Sequence, residues 1–188
     1  MTRGSRIRTR TPSPDAPRGA RLKRILIFSA LTLLLAVTQC SFFAALHICP
    51  ATPDLMLGLV LAILLLDSPA SAAAVALGAG CLIDALGTTR LFLSPAFYFL
   101  VVLVLALPAS KMLSRFPSFF VLALPALVGR AGYTLLCFAL FAGPMPAWSY
   151  VLGILWREAL VTLITILPIY PIVALCMRPI RARNRFHF

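Results

Sequence analysis

The chain has 188 residues, 61 % of them hydrophobic and only 12 % charged, with a mean hydropathy of +0.99. Soluble domains carry about 25 % charged residues, so this composition excludes an ordinary soluble fold and points to one integral membrane domain. The net charge of +12 is not a nucleic-acid signature: eight of the 17 Lys and Arg residues precede Ile25 and four follow Met177. Basic clusters flanking apolar spans mark cytoplasmic sides and attract anionic lipid headgroups. The aromatics lie mostly in the apolar spans, away from the basic clusters with which a single-strand binder would interleave them.

Residues 1–24 are rich in Arg, Pro, Ser and Thr without apolar periodicity, and read as a disordered, basic cytoplasmic tail. The first apolar run, Ile25 to Leu46, is too long for the apolar region of a signal peptide and lacks an A-x-A cleavage site. It is expected to remain as a span. Gln39 stands where a lipoprotein cleavage box requires a small residue, which rejects that reading of Val37 to Cys40.

The second span opens at Thr52-Pro53-Asp54. Thr52 reads as an N-cap, Pro53 suits the first helical position, and Asp54 adds charge at the positive end of the helix dipole. Its apolar body, Leu55 to Leu66, covers roughly 24 Å with its flanks, against a hydrocarbon core of about 30 Å. Either the bilayer thins there or longer neighbours cover the span. Ser68-Pro69 repeats the cap-then-proline signal, making spans two and three a tight antiparallel hairpin.

The third span, within Ala70 to Arg90, carries Ala72, Ala76, Gly80 and Asp84 at successive i, i+4 positions, one face of a helix. Small residues on such a stripe let helix backbones approach closely in lipid. An acid on the same stripe is expected to face protein, because facing hydrocarbon is costly; the alternative is that it reaches only the headgroups, within a turn of Gly87. Ala72, Ala76, Gly80, Asp84 and Gly87 are the candidate packing and interaction residues.

A fourth span is expected from Ser94-Pro95 past Leu107, with Pro108 as a kink, followed by Lys111 and Arg115. The fifth runs from about Phe119 to Ala142 and holds Pro125 and Arg130. After a turn at Gly143 to Pro146, an interfacial pair of Trp148 and Tyr150 precedes the sixth span, about Tyr150 to Met177. That span carries Arg157, Glu158, Pro168 and Pro171, and residues 178–188 form a second basic tail. The expected fold is thus an all-α integral membrane protein: residues 25–177 make six transmembrane helices, and both termini are cytoplasmic. This orientation places most of the basic residues inside, as the positive-inside rule demands.

Asp84, Arg130, Arg157 and Glu158 are the intramembrane charges. Two acids and two bases at overlapping depths can neutralise one another, and the expected pairs are Arg157 with Asp84 and Arg130 with Glu158. In the alternative, Arg157 and Glu158 snorkel or meet only water in an outer vestibule. The five cysteines form no C-x-x-C pair, and His47 and His187 stand alone, so no metal or cofactor site is expected. The chain also lacks a Ser/His pair, an HExxH motif and paired carboxylates at a useful spacing, so no enzyme is expected.

Pro53-Asp54-Leu55 before a short second span, the following hairpin, and Gly80-Cys81-Leu82-Ile83-Asp84-Ala85-Leu86 together resemble the rod-shape-determining MreD family of bacteria. Length, span number and basic tails fit as well. One departure is Gly87-Thr88-Thr89-Arg90-Leu91, where the family often has a Gly-rich turn and a further Gly-Leu. The resemblance implies a non-enzymatic scaffold of the cell-elongation machinery in the inner (cytoplasmic) membrane. Such a protein binds the bitopic partner MreC and helps couple MreB filaments to peptidoglycan synthesis by a RodA-type polymerase and its transpeptidase. Anionic lipids are expected at the basic tails, and a homo-oligomer is left open. The family is also similar in architecture to substrate-binding subunits of energy-coupling-factor transporters, which supplies the alternative of a vitamin- or metal-binding subunit.

Overall fold

The computed structural model describes residues 18–43, 53–87, 93–112, 116–141 and 148–183, and within them every regular element is helical. In chain order these are α1 (Arg18–Val37), which continues through a π-helical turn (Thr38–Phe43), α2 (Leu55–Leu66), α3 (Pro69–Leu86), α4 (Ser94–Lys111), α5 (Phe116–Phe141), α6 (Trp148–Ile166) and α7 (Ile169–Arg183). Five stretches are long and apolar enough to cross a membrane: Leu22–Phe42, Pro69–Leu86, Ser94–Lys111, Pro117–Ala139 and Val151–Met177. The protein is a multi-pass membrane protein. Many large apolar side chains point outward along these helices, among them Leu103, Leu107, Leu124, Val128 and Ile164.

α2 is the hub. Its 12 residues are all buried, and it packs against each of the other six helices. Those six close a ring around it in the order α1, α3, α4, α5, α6, α7 and back to α1. A helix apolar on every side is stable only when covered on every side, and LMLGLVLAILLL has no polar face to expose. At 1.5 Å per residue it is about 18 Å long. Of the two ways to accommodate so short a segment, the structure shows longer neighbours covering it.

The close fit needs Gly58. A Cβ there would stand 2.8 Å from Cβ and Cγ2 of Ile166 and 2.9 Å from Cδ1 of Ile169. Those two isoleucines flank the break between α6 and α7. Pro168 cannot donate to the helix ladder, and the chain restarts so that Pro171 falls in the first turn of α7, where a missing N–H is harmless. The sixth apolar span is therefore two helices and not one.

Local sequence accounts for the other ends. Ser68 caps α3, its hydroxyl accepting from Ser71 N at 3.3 Å, with Pro69 in the first turn. Pro108 and Pro125 lie inside continuous helices α4 and α5. Thr32 and Thr165 donate their hydroxyls to the carbonyls of Phe28 and Val161 one turn back, which satisfies them without water. α1 begins at Arg18, so the last seven residues assigned to the amino-terminal tail are helical, and α7 carries the chain on to Arg183. Thr52, His47, Cys49, Arg90, Arg115 and the turn at Gly143 to Pro146 lie outside the described residues.

Candidate functional site

At the amino end of α2, four helices and the π-helical turn converge on Asp54, which is fully buried. A buried helix end must find partners for its first N–H groups, and here each has one. Asp54 Oδ1 accepts from Leu57 N at 3.1 Å, and Gln39 Oε1 accepts from Leu55 N at 2.9 Å and Met56 N at 3.3 Å. Asp54 N donates to Thr162 Oγ1 at 3.2 Å. Gln39 reaches across from the π-helical turn, where one extra residue per turn re-aims the side chains.

The carboxylate does more than cap. Tyr98 on α4 donates its hydroxyl to Asp54 Oδ1 at 2.7 Å. Arg130 on α5 places Nε 3.4 Å from Asp54 Oδ2 and donates to Glu158 Oε1 on α6 at 3.2 Å. The guanidinium also lies over the rings of Phe97 and Tyr133, 5.7 and 5.4 Å from their centroids, and those rings stack at 4.7 Å. Aromatic faces attract a desolvated guanidinium by about 2 kcal/mol in favourable cases. α2, α4, α5 and α6 are thereby tied through one cation.

Arg130 stands between the two carboxylates, in the place a bound cation would take. Beside it, Glu158, Thr162, Leu127 and Leu155 help line a cavity of about 10 Å³, enough for about one water molecule. Among the described residues, no group of three or more His, Cys, Asp or Glu comes together. The chemistry available here is electrostatic cross-linking of helices.

The second acid, Asp84, is also buried, with Ala72, Ala76, Ala79 and Gly80 on the inner face of α3. Asp84 Oδ2 accepts from Ser94 N at 3.1 Å, at the start of α4. A carboxylate in the last turn of a helix opposes that helix's dipole, but this one faces the positive end of the next. Gly80 makes the approach possible. A Cβ on it would lie 2.4 Å from both N and Cα of Pro95 and 2.8 Å from the carbonyl carbon of Ser94. Ser94 and Tyr98 are one turn apart, so Asp84 and Asp54 hold the same end of α4.

Of the expected pairs, Arg130 with Glu158 is present. Arg157 with Asp84 is not: Arg157 is exposed, and Asp84 is engaged by the α4 backbone. Neighbouring helix residues point about 100° apart, so once Glu158 faces the interior Arg157 cannot. Gly87, expected among the packing and interaction residues, is the exposed C-cap of α3, where its N–H donates to Ile83 O at 2.7 Å. Asp54, Tyr98, Gln39 and Thr162 were not anticipated as a site. The signal for Asp54 was present in Pro53-Asp54-Leu55, an acid at the start of a helix with no polar face. Nothing in the sequence marks the other three.

Comparison with known proteins finds no match: no protein-family model, no curated protein and no solved structure. The resemblance to MreD rests on the residues quoted for it.

Proposed function

We propose that this chain is a non-enzymatic scaffold of the bacterial cell-elongation machinery, of the MreD kind, in the inner membrane. One observation carries the reading: both acids of the motifs that resemble that family, Asp54 and Asp84, engage helix amino ends at the bundle's core. The motifs thus set the shape of the bundle and the close α3–α4 contact, which is what a protein acting through its outer faces requires. The alternative, a vitamin- or metal-binding subunit, needs polar groups turned toward a ligand-sized space. Asp54, Arg130 and Glu158 are turned toward one another.

In this reading the chain crosses the membrane six times, with α2 as a short, covered crossing and α6 and α7 together making the last. Both termini are cytoplasmic, and the Asp54 cluster lies in the outer half. The exposed faces engage an MreC-like bitopic protein, and through that complex MreB filaments, a RodA-type polymerase and its transpeptidase. Purification in mild detergent, followed by identification of whatever co-purifies, tests the function. A stoichiometric bitopic cell-wall partner is the expected outcome. A tightly bound vitamin or metal, or a pair of ATPase subunits, contradicts it.

A further inference from the structure

Arg157 lies within the apolar stretch Val151–Met177, yet it is exposed and makes no ion pair among the described residues. The chain has only five acidic side chains with which to neutralise it. Asp54 and Glu158 share Arg130, Asp84 holds the start of α4, and Asp67 pairs with Arg24. Asp15, the fifth, precedes the start of α1 by three residues, a reach of about 11 Å at most. α1 starts at the end of the bundle where Arg24 meets Asp67, and the whole of α2, about 18 Å, separates that end from Asp54 and Glu158. No acid of this chain is left for Arg157. We infer that this face of α6 docks a membrane-spanning helix of a partner protein, one that carries a carboxylate at the depth of Arg157.

Depth favours a protein carboxylate over a lipid phosphate. Trp148 is exposed at the start of α6, just before the apolar stretch begins, and exposed tryptophans gather at the headgroup level. Arg157 follows nine residues later, about 13 Å down the helix at 1.5 Å per residue. Five bonds of about 1.5 Å carry its guanidinium carbon no more than roughly 7 Å from the backbone, about half of the way back. A phosphate stays with the headgroups, whereas a carboxylate on a spanning helix can sit at this depth. Leaving the guanidinium against hydrocarbon is costly, so a partner acid there has a large return in binding.

The surface around Arg157 suits a helix. Gly153 lies one turn outward on the same stripe, and a Cβ built there meets nothing within 4 Å. Leu160 and Ile164, both exposed, continue the stripe inward, so the four residues fall at i, i+4, i+7 and i+11 on one side of α6. A glycine lets a second backbone come close, and polar groups bond across such contacts in lipid. The planar guanidinium offers a fork of donors that matches a carboxylate with two parallel hydrogen bonds. This docking face deepens the scaffold reading, and it rests on that reading for a partner embedded in the same membrane.

The test is energy transfer between the full chain, reconstituted in phosphatidylcholine vesicles, and a leucine-rich spanning peptide of about 23 residues. The peptide carries a tryptophan at each end and one Glu about nine residues from an end, at the depth of Arg157; a second peptide has Gln in its place. The Glu peptide is expected to associate about ten-fold more tightly than the Gln peptide. Arg157→Gln should erase that preference, and Gly153→Leu should weaken association of the Glu peptide several-fold. Both variants should unfold as the parent chain does, because Arg157 is exposed and the space at Gly153 is open. Equal association of the two peptides, as when headgroup phosphate or water satisfies Arg157, would overturn the proposal. So would a preference that survives Arg157→Gln, or full association with Gly153→Leu. The scaffold reading fails separately: a bitopic partner that co-purifies as well with Arg157→Gln overturns this face alone, whereas a chain that co-purifies with no partner contradicts the scaffold and leaves the peptides to decide the face.

Discussion

Gly80→Ala adds a single methyl group at the closest approach found for any of the described glycines, and its effect follows from distances. The new Cβ would lie 2.4 Å from two backbone atoms of Pro95. Ordinary contact begins at 3.4 Å, so the start of α4 must retreat by about 1 Å. Backbone cannot swing aside as a long side chain can. The retreat also stretches the Ser94 N to Asp84 Oδ2 hydrogen bond, now 3.1 Å. Overpacking of this kind costs about 1–3 kcal/mol, although alanine by itself favours a helix over glycine by about 1 kcal/mol. Gly78→Ala is the internal control. It sits two residues away on the same helix, where the added carbon meets nothing, so it gains the helix preference without the clash. Reversible unfolding of purified protein in mild detergent should show Gly80→Ala destabilised and Gly78→Ala unchanged or slightly more stable. If the two variants unfold alike, close packing at Gly80 is not what holds α3 to α4.

The remaining predictions concern the charges. Arg130→Gln leaves Asp54 and Glu158 buried without their cation and should destabilise by about 3–5 kcal/mol, read in the same unfolding assay; Asp54→Asn with Glu158→Gln in that background should restore much of it. Tyr98→Phe removes only a hydrogen bond to a carboxylate and should lower stability by about 1.5–3 kcal/mol. Arg157→Gln should be nearly silent, since the side chain is exposed and makes no ion pair among the described residues, and a cycle with Asp84→Asn should give no coupling. Fusions of reporters after residue 20 and at the carboxyl end should both read cytoplasmic; a periplasmic signal from either would sink the six-crossing topology.

The helices were legible, and the start of α3 with them, because those signals are local; α2 instead begins after Asp54 rather than Thr52, and α4 has no side-chain cap at Ser94. Ser68-Pro69 begins a helix for reasons contained in four residues, and the stripe Ala72, Ala76, Gly80, Asp84 follows from helical period alone. The short apolar second span also read correctly as a segment needing either a thinner bilayer or cover. Its role as the hub did not, because an apolar helix looks the same whether lipid or protein surrounds it. Asp54 was visible as a helix-start acid, yet its three distant partners are set by tertiary packing. Tyr98 lies 44 positions away and Thr162 108. Arg157 points out of the bundle for a simpler reason. Adjacent charges on one helix cannot share a face, and counting charges by depth ignores direction.

The central claim is that the buried charges lock the helices around α2 and are not arranged for a solute. A double-mutant cycle between Asp54→Asn and Arg130→Gln on purified protein tests it most directly. The account predicts a favourable coupling of about 1.5 kcal/mol or more, as close charge pairs removed from water show. A coupling indistinguishable from zero, with each single variant still folded, would contradict it.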